Sequence, residues 1–234
     1  MELKIIYEDN DVLVINKPAG LVTLPEGNIQ EKTLIDYLLE KYPELNRTGK
    51  APRYGIVHRL DKDTSGIVLV AKNNQTLFFL QKQFKTRGVE KKYITLVVGN
   101  LKNDQGIIET LIGRSPKDRK KQKVYLPGEP GSEGKRQSIT EYKVIKRQGS
   151  YTLLEVIPKT GRKHQIRCHL SYLQHPVAGD KLYGFKNQPC PEGLNRHFLH
   201  AGYLKIKLPN EEVKEFRSEI PEELKSILKN LKLV

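Results

Sequence analysis

An α+β fold, built as a mixed and mostly antiparallel sheet with flanking helices, is the architecture this sequence predicts. Three observations lead there. Apolar runs of strand length follow one another without a helix between them at Tyr93 to Val98, Ile107 to Ile112, Ile139 to Ile145 and Tyr151 to Ile157. Helical spacing occurs in only a few places, most of them bounded by a capping or helix-breaking residue. The strict strand-helix alternation of a doubly wound parallel sheet is absent. With 234 residues and no tract that reads as a linker or repeat, the chain is expected to form one domain, 1–234, with two sub-halves of roughly 1–100 and 101–234.

Taken in order, Leu3 to Tyr7 and Val12 to Ile15 flank the turn-forming Glu8-Asp-Asn-Asp11 and predict an opening hairpin. Thr33 precedes a carboxylate by three residues, and Leu34, Ile35, Leu38, Leu39 and Tyr42 recur at helical spacing up to Pro43, which predicts a capped helix. Ile56-Val57 and Ile67 to Ala71 have strand character, with the polar stretch His58 to Gly66 between them. Asn74 is the expected cap of a helix with Leu77, Phe78, Leu80 and Phe84 on its apolar face, ending near Arg87-Gly88. Arg162 to Leu173 carries Ile166, Leu170 and Leu173 at helical spacing, which places His164 and Arg167 on one face. Leu199 to Leu208 reads as a further strand, and Pro221 opens a last helix.

Composition narrows the function. Lys and Arg number 41 against 27 Asp and Glu, a formal net charge of +14 that points to a polyanionic partner, nucleic acid above all. Arg114-Ser-Pro-Lys-Asp-Arg-Lys-Lys-Gln-Lys123 concentrates six of the positive side chains and invites phosphate contact. No stretch of ~18 apolar residues is present, so membrane spanning is not expected. The N-terminal segment lacks the apolar core of a secretory leader, and a cytoplasmic protein is expected. Cys168 and Cys190 are the two cysteines, without the spacing of a disulfide framework or a zinc knuckle.

Chemistry-bearing motifs are best judged by what they lack. There is no Gly-x-Ser-x-Gly elbow, no Walker or dinucleotide glycine loop and no carboxylate or cysteine cluster, so no metal site is expected. His164 and His169, five apart, point about 140° away from each other on a helix and do not share an ion. What remains is Val57-His-Arg-Leu-Asp61, a carboxylate beside an imidazole and a guanidinium on a chain of RNA-sized positive charge. By itself this segment leaves a nucleophile, a general base, a metal ligand and an ordinary acidic turn all open.

Gly55-Ile-Val-His-Arg-Leu-Asp-Lys-Asp-Thr-Ser-Gly-Ile-Val-Leu-Val-Ala-Lys72 resembles the signature of the RluA-type family of RNA pseudouridine synthases. Further likenesses follow in the same order as in that family: Tyr7 to Pro18, Lys92-Tyr-Ile-Thr-Leu-Val-Val-Gly99, Thr160-Gly-Arg-Lys-His-Gln-Ile-Arg-Cys-His169, Gly179-Asp-Lys-Leu-Tyr-Gly184 and Leu199-His-Ala201. The resemblance implies the pseudouridine synthase fold with a central catalytic cleft, an isomerase that acts on uridines of ribosomal or transfer RNA, and no cofactor. It implies Asp61 as catalytic aspartate, Tyr93 as the ring that stacks on the target base, Arg167 as the cation that pairs with the aspartate, and Arg59 as the side chain that fills the RNA stack when the uridine turns out. His58, Arg162 and His164 are expected to join Arg59 in contacting RNA. Lys92 stands where the family usually has arginine, Cys168 where valine is common, and Leu24-Pro-Glu-Gly27 fits the family loop only loosely. Because the opening motif falls within the first ten residues, RNA capture is expected to rest on the catalytic domain itself, acting as a monomer.

These assignments are physically coherent. Desolvation alone would neutralise a buried aspartate, whereas a guanidinium, which stays charged and bonds a carboxylate through two parallel N–H groups, holds it ionised. A base inside a helix must be extruded before a protein carboxylate can reach its glycosidic bond, and a flat cation can occupy the gap. The carboxylate has three routes open: attack on the sugar, addition to the uracil ring, or removal of a sugar proton. Two rivals are a non-catalytic RNA-binding factor that keeps the fold, and a glycosylase that releases the base.

Overall fold

The computed structural model describes residues 3–25 and 31–233. The opening hairpin is present as β1 (Lys4–Glu8) and β2 (Val12–Lys17), antiparallel, with Ile5 opposite Ile15. Its turn is closed by Asp9, whose carboxylate accepts from the N–H groups of Asp11 at 2.8 Å and Val12 at 2.6 Å. Helix α1 (Leu34–Lys41) starts where the Thr33 and Asp36 pair predicts: Asp36 accepts from the Thr33 N–H at 2.8 Å and its hydroxyl at 2.7 Å. After Tyr42 the chain tightens into a 3-10 turn, Pro43–Arg47.

The expected strand at Ile56-Val57 does not form. Ile56 makes a single bridge to Val70 and Val57 donates once to the Leu69 carbonyl at 3.1 Å, after which the chain leaves as a loop. Two residues of apolar character suffice for burial but not for a ladder. Strand β3 (Ser65–Ala71) is buried along its whole length and pairs antiparallel with β2 from Val12 opposite Ala71 to Lys17 opposite Gly66. Gly66 adopts φ +119, and a side chain there would run into the backbone of Ala201.

Helix α2 (Asn74–Thr86) is capped one residue earlier than expected. Asn73 accepts from the Thr76 N–H at 2.9 Å, while Asn74 bonds the Gly49 N–H and the Arg47 carbonyl. Leu77 and Leu80 face inward, whereas Phe78, expected on the apolar face, is 74% exposed. The reason is angular: position 78 lies about 100° around the helix from 77, off the stripe defined by 77, 80 and 84.

Strands β4 (Glu90–Val98), β5 (Gln105–Arg114), β6 (Gln122–Tyr125), β7 (Arg136–Gln148) and β8 (Tyr151–Pro158) follow. Four of them are legible in the sequence; β6 is not, since it overlaps the end of the basic run and has few apolar residues. Helix α3 (Gln165–Tyr172) begins three residues later than its apolar spacing suggests, because His164 takes a left-handed conformation with φ 55. Strand β9 (Leu199–Lys207) is as expected, and β10 (Val213–Arg217), a short charged strand paired antiparallel with β9, has no counterpart among the expected elements. Helix α4 (Glu222–Asn230) starts directly after Pro221 and buries Leu224, Ile227 and Leu228.

The chain forms two compact units, 1–91 with 201–219, and 92–200 with 220–234. The return of 201–219 to the first unit, through a strand distant in sequence, differs from a simple division near residue 100. In the first unit the strand order is β1-β2-β3-β9-β10, with a core of Val12, Val14, Ile67, Leu69, Leu77, Leu80, Leu204 and Phe216 among others. In the second the order is β4-β8-β7-β5-β6, antiparallel at every step, over a core that includes Leu96, Leu154, Val156, Leu170, Phe198 and Leu228. The expected α+β class with mostly antiparallel pairing is the one observed. Among the described residues no helix is long and apolar enough to cross a membrane.

Candidate active site

Asp61 and Arg59 sit in the loop between Ile56 and β3. Arg59 is exposed, Asp61 is half-buried, and the Leu60 side chain between them is buried. The loop is fixed through its backbone. Thr23, itself buried, donates its hydroxyl to the Leu60 carbonyl at 2.8 Å and accepts from the Leu60 N–H at 3.3 Å. On the other side of Asp61, the ammonium of Lys17 donates to the carbonyl of Lys62 at 2.9 Å and to those of Pro18 and Leu21 at 2.8 Å each. Lys17 is 0% exposed, so a buried cation stitches the segment after β2 to the segment after Asp61. The Thr64 N–H then returns to the Asp61 carbonyl at 3.1 Å. Sequence reasoning singles out neither Thr23 nor Lys17; Lys17 stands in a family-like motif, but nothing in its surroundings announces burial.

His58 is half-buried and its chemistry is settled by its contacts. Its Nε2 accepts from the Leu69 N–H at 3.2 Å, which puts the ring proton on Nδ1, and the ring stacks on Phe84 at 4.9 Å between centroids. Burial first, then the charges of Lys91 and Arg53, pushes its pKa down to about 3, so it is neutral. The residue expected to touch RNA thus also pins the start of the Asp61 loop to β3.

In the second unit Tyr93 lies on β4, half-buried, opposite Val156 of β8 and against the core. Arg167, on α3, is buried and clamped. Its Nε and Nη2 donate to the two carboxylate oxygens of Asp180 at 2.7 and 2.9 Å, a bidentate pair. Asp180, 2% exposed, also accepts the N–H groups of Leu182 at 2.9 Å and Tyr183 at 3.0 Å. Burial alone would raise this carboxyl, but the Arg167 guanidinium and the two N–H groups outweigh it and hold it below the usual carboxylate range. The Tyr183 ring lies 5.2 Å from the guanidinium carbon, and its hydroxyl accepts from the Gln122 N–H at 2.7 Å and meets His164 Nδ1 at 2.9 Å. His164 and Arg167 therefore converge on Tyr183, although His164 precedes the helix rather than sharing a helical face. Asp180 and Tyr183 stand in a family-like motif without a role of their own; their function as the seat of Arg167 needs the fold to appear. Gly179 at φ +74, against the Arg196 carbonyl, makes the turn that presents them.

Behind α3 runs a buried polar chain. Thr160 donates to Gln165 Oε1 at 2.8 Å, Gln165 Nε2 donates to Thr140 at 2.9 Å, and His169 bonds Thr140 through Nδ1 at 2.8 Å and Thr110 through Nε2 at 3.0 Å. Arg162 joins it, its N–H bonding Gln165 Oε1 and its Nε the Gln137 carbonyl, each at 2.9 Å. His169 is 0% exposed, and burial pushes it down from 6.5 to about 4. The sign of its effect on stability follows. The unfolded histidine takes up a proton near 6.5 and the folded one only near 4, so folding stability is complete above pH 6.5 and falls as pH drops through that window, by about 1.4 kcal/mol per pH unit for each such histidine. His58 acts in the same direction down to about 3. Urea unfolding at pH 7.5, 6 and 5 is expected to show this decline, with a shallower slope for His169→Gln; equal slopes for the two proteins would contradict it.

Comparison with known proteins adds the chemistry. The family described as RNA pseudouridylate synthase matches residues 11–172. A protein of Aquifex aeolicus (strain VF5) named as an uncharacterized RNA pseudouridine synthase is 43% identical over 233 residues, covering 96% of this chain and 72% of its own. The ribosomal large subunit pseudouridine synthase D of Borreliella burgdorferi is 40% identical over 230 residues, covering 97% of this chain and 68% of its own. Among solved structures, human RNA pseudouridylate synthase domain containing 1 matches with a TM-score of 0.76 and 28% identity, over 100% of this chain and 96% of the other. Glu26 and Gly27, in the loosely fitting loop, lie outside the described residues.

Proposed function

The chain belongs to the RNA pseudouridylate synthase family and is an RNA-modifying isomerase, and from that premise we propose that Asp61 is its catalytic group and ribosomal RNA its substrate. The reaction breaks the bond between ribose and a uracil nitrogen, turns the ring while it stays bound, and rejoins it through carbon at unchanged mass. In this reading Arg59 takes the vacated place in the RNA stack, and Tyr93 and Arg167 have the roles the family resemblance implies, the ring that stacks on the displaced base and the cation that keeps the catalytic aspartate ionised. Arg162 and His164 line the RNA path beside Arg167. The side chains supply every role assigned here, without a cofactor, in a monomer working in the cytoplasm.

The observation that carries the reading is the placement of Asp61 between two backbone anchors, Thr23 on Leu60 and Lys17 on Lys62. A carboxylate that must meet a swung-out nucleotide needs a fixed position, since an ångström of error in a reacting group costs on the order of 10²-fold in rate. The relatives named for the ribosomal large subunit support the choice of RNA. Mapping pseudouridines in ribosomal and transfer RNA from cells with and without this protein tests it. Loss of a large-subunit ribosomal position is the expected result; loss confined to transfer RNA would redirect the substrate assignment, and no loss anywhere would end it.

A further inference from the structure

The loop that carries Arg59 and Asp61 is bordered by a concentration of positive charge that the catalytic assignments leave without a task. Arg53 and Lys91 both lie near enough to the His58 ring for their charges to act on it, and Arg59 lies near enough to Arg53 to act on that guanidinium in turn. Phe84 links Lys91 to His58, stacked on the imidazole at 4.9 Å and with the Lys91 ammonium 5.7 Å from its ring centre. Arg53 Nη2 donates to the Val57 carbonyl at 3.3 Å, which orients its guanidinium along the start of the catalytic loop. No carboxylate is paired with Arg53 or Lys91 among the described residues, in contrast to Lys17, sealed in by carbonyls, or Arg167, seated on Asp180.

We propose that Arg53 and Lys91 form a phosphodiester subsite that grips the RNA backbone beside the nucleotide turned out by Arg59. Cations gathered around a neutral imidazole and an aromatic ring repel one another, and an anion between them relieves that repulsion. A phosphodiester fits better than a carboxylate partner. It arrives with the substrate, and it is contacted in a sequence-independent way by a fork of guanidinium N–H groups and a point-charge ammonium. Burial pushes Lys91 down to about 8, so part of its charge is restored only when an anion approaches. His58 supports the subsite by remaining neutral, since its Nε2 is occupied by the Leu69 N–H.

This inference rests on the pseudouridine synthase reading, and its test separates the two. Equilibrium binding of a short oligouridylate is measured against salt concentration, alongside KM and kcat for conversion of transcribed large-subunit ribosomal RNA. The proteins compared are the unaltered one, the Arg53→Gln/Lys91→Gln double variant, Lys91→Arg, and a charge-matched control, Lys146→Gln/Lys229→Gln. The double variant is expected to raise KM about 5- to 10-fold with kcat unchanged, and to flatten the salt dependence of oligouridylate binding by roughly 0.7, the slope that one neutralised phosphate carries on a single strand. Lys91→Arg should keep the unaltered values, and the control pair should leave both the slope and KM in place. A double variant whose salt slope matches that of the control overturns the subsite, as does a fall in kcat at constant KM. Failure of the unaltered protein to convert uridine overturns the catalytic reading instead, and the salt slopes decide the subsite even then.

Discussion

Asp61→Asn is expected to reduce uridine conversion by on the order of 10³-fold or more, about 4 kcal/mol of transition-state stabilisation, in a protein that still folds and still binds RNA. The amide matches the carboxylate in shape but has neither the charge to attack a sugar or a uracil ring nor the basicity to take a proton. All three routes open to the aspartate therefore fail together. The anchors of the loop run through the backbone of Leu60 and Lys62, so they survive the substitution. The measurement is single-turnover conversion, read as pseudouridine in digested RNA, alongside equilibrium binding of the same RNA. Retained conversion by Asp61→Asn would remove the aspartate from the mechanism. Release of free uracil by the unaltered protein would point to a glycosylase instead.

How far the molecule is legible from sequence depends on whether the deciding interaction is local. The hairpin around Asp9, the Thr33 and Asp36 capping pair and the helix after Pro221 are each set by neighbours a few residues apart, and each is found where spacing puts it. Asn73 and Asn74 illustrate the margin of that logic: two adjacent residues of equal capping ability, separated only because Asn74 has partners at Arg47 and Gly49. The strand at Val213–Arg217 and the return of 201–219 to the first unit depend on pairing that no local pattern encodes. The same division runs through the site. Asp61, Tyr93, Arg59 and Arg167 stand out through their motifs, whereas Thr23, Lys17 and Asp180 gain their roles from partners 37, 45 and 13 residues away. A buried lysine is especially opaque, since its sequence signature is that of an exposed one and its burial against backbone carbonyls shows only in the fold.

Asp180→Asn should be the next most damaging change, and for a different reason. The substitution keeps the shape of the side chain but turns one oxygen into an NH₂ facing the Nε or Nη2 donor of Arg167, so donor meets donor and the bidentate pair is broken. The neighbouring N–H groups of Leu182 and Tyr183 are left without a charged acceptor as well. Breaking a buried ion pair from one side costs roughly 3–5 kcal/mol, because the remaining charge stays desolvated. At roughly 2–4 °C per kcal/mol for a chain of this size, Tm should drop by about 10 °C. Since Asp180 acts through Arg167 and does not itself meet the uridine in this scheme, its replacement should lower kcat by about 10²-fold while KM moves little. Arg167→Lys tests the same seat from the other side: the charge is retained, the planar fork is not, and a comparable fall in kcat is expected. Thermal unfolding and steady-state kinetics on both variants check this. If Asp180→Asn shifts Tm but leaves kcat unchanged, the pair serves folding alone, and the orientation of Arg167 must come from elsewhere.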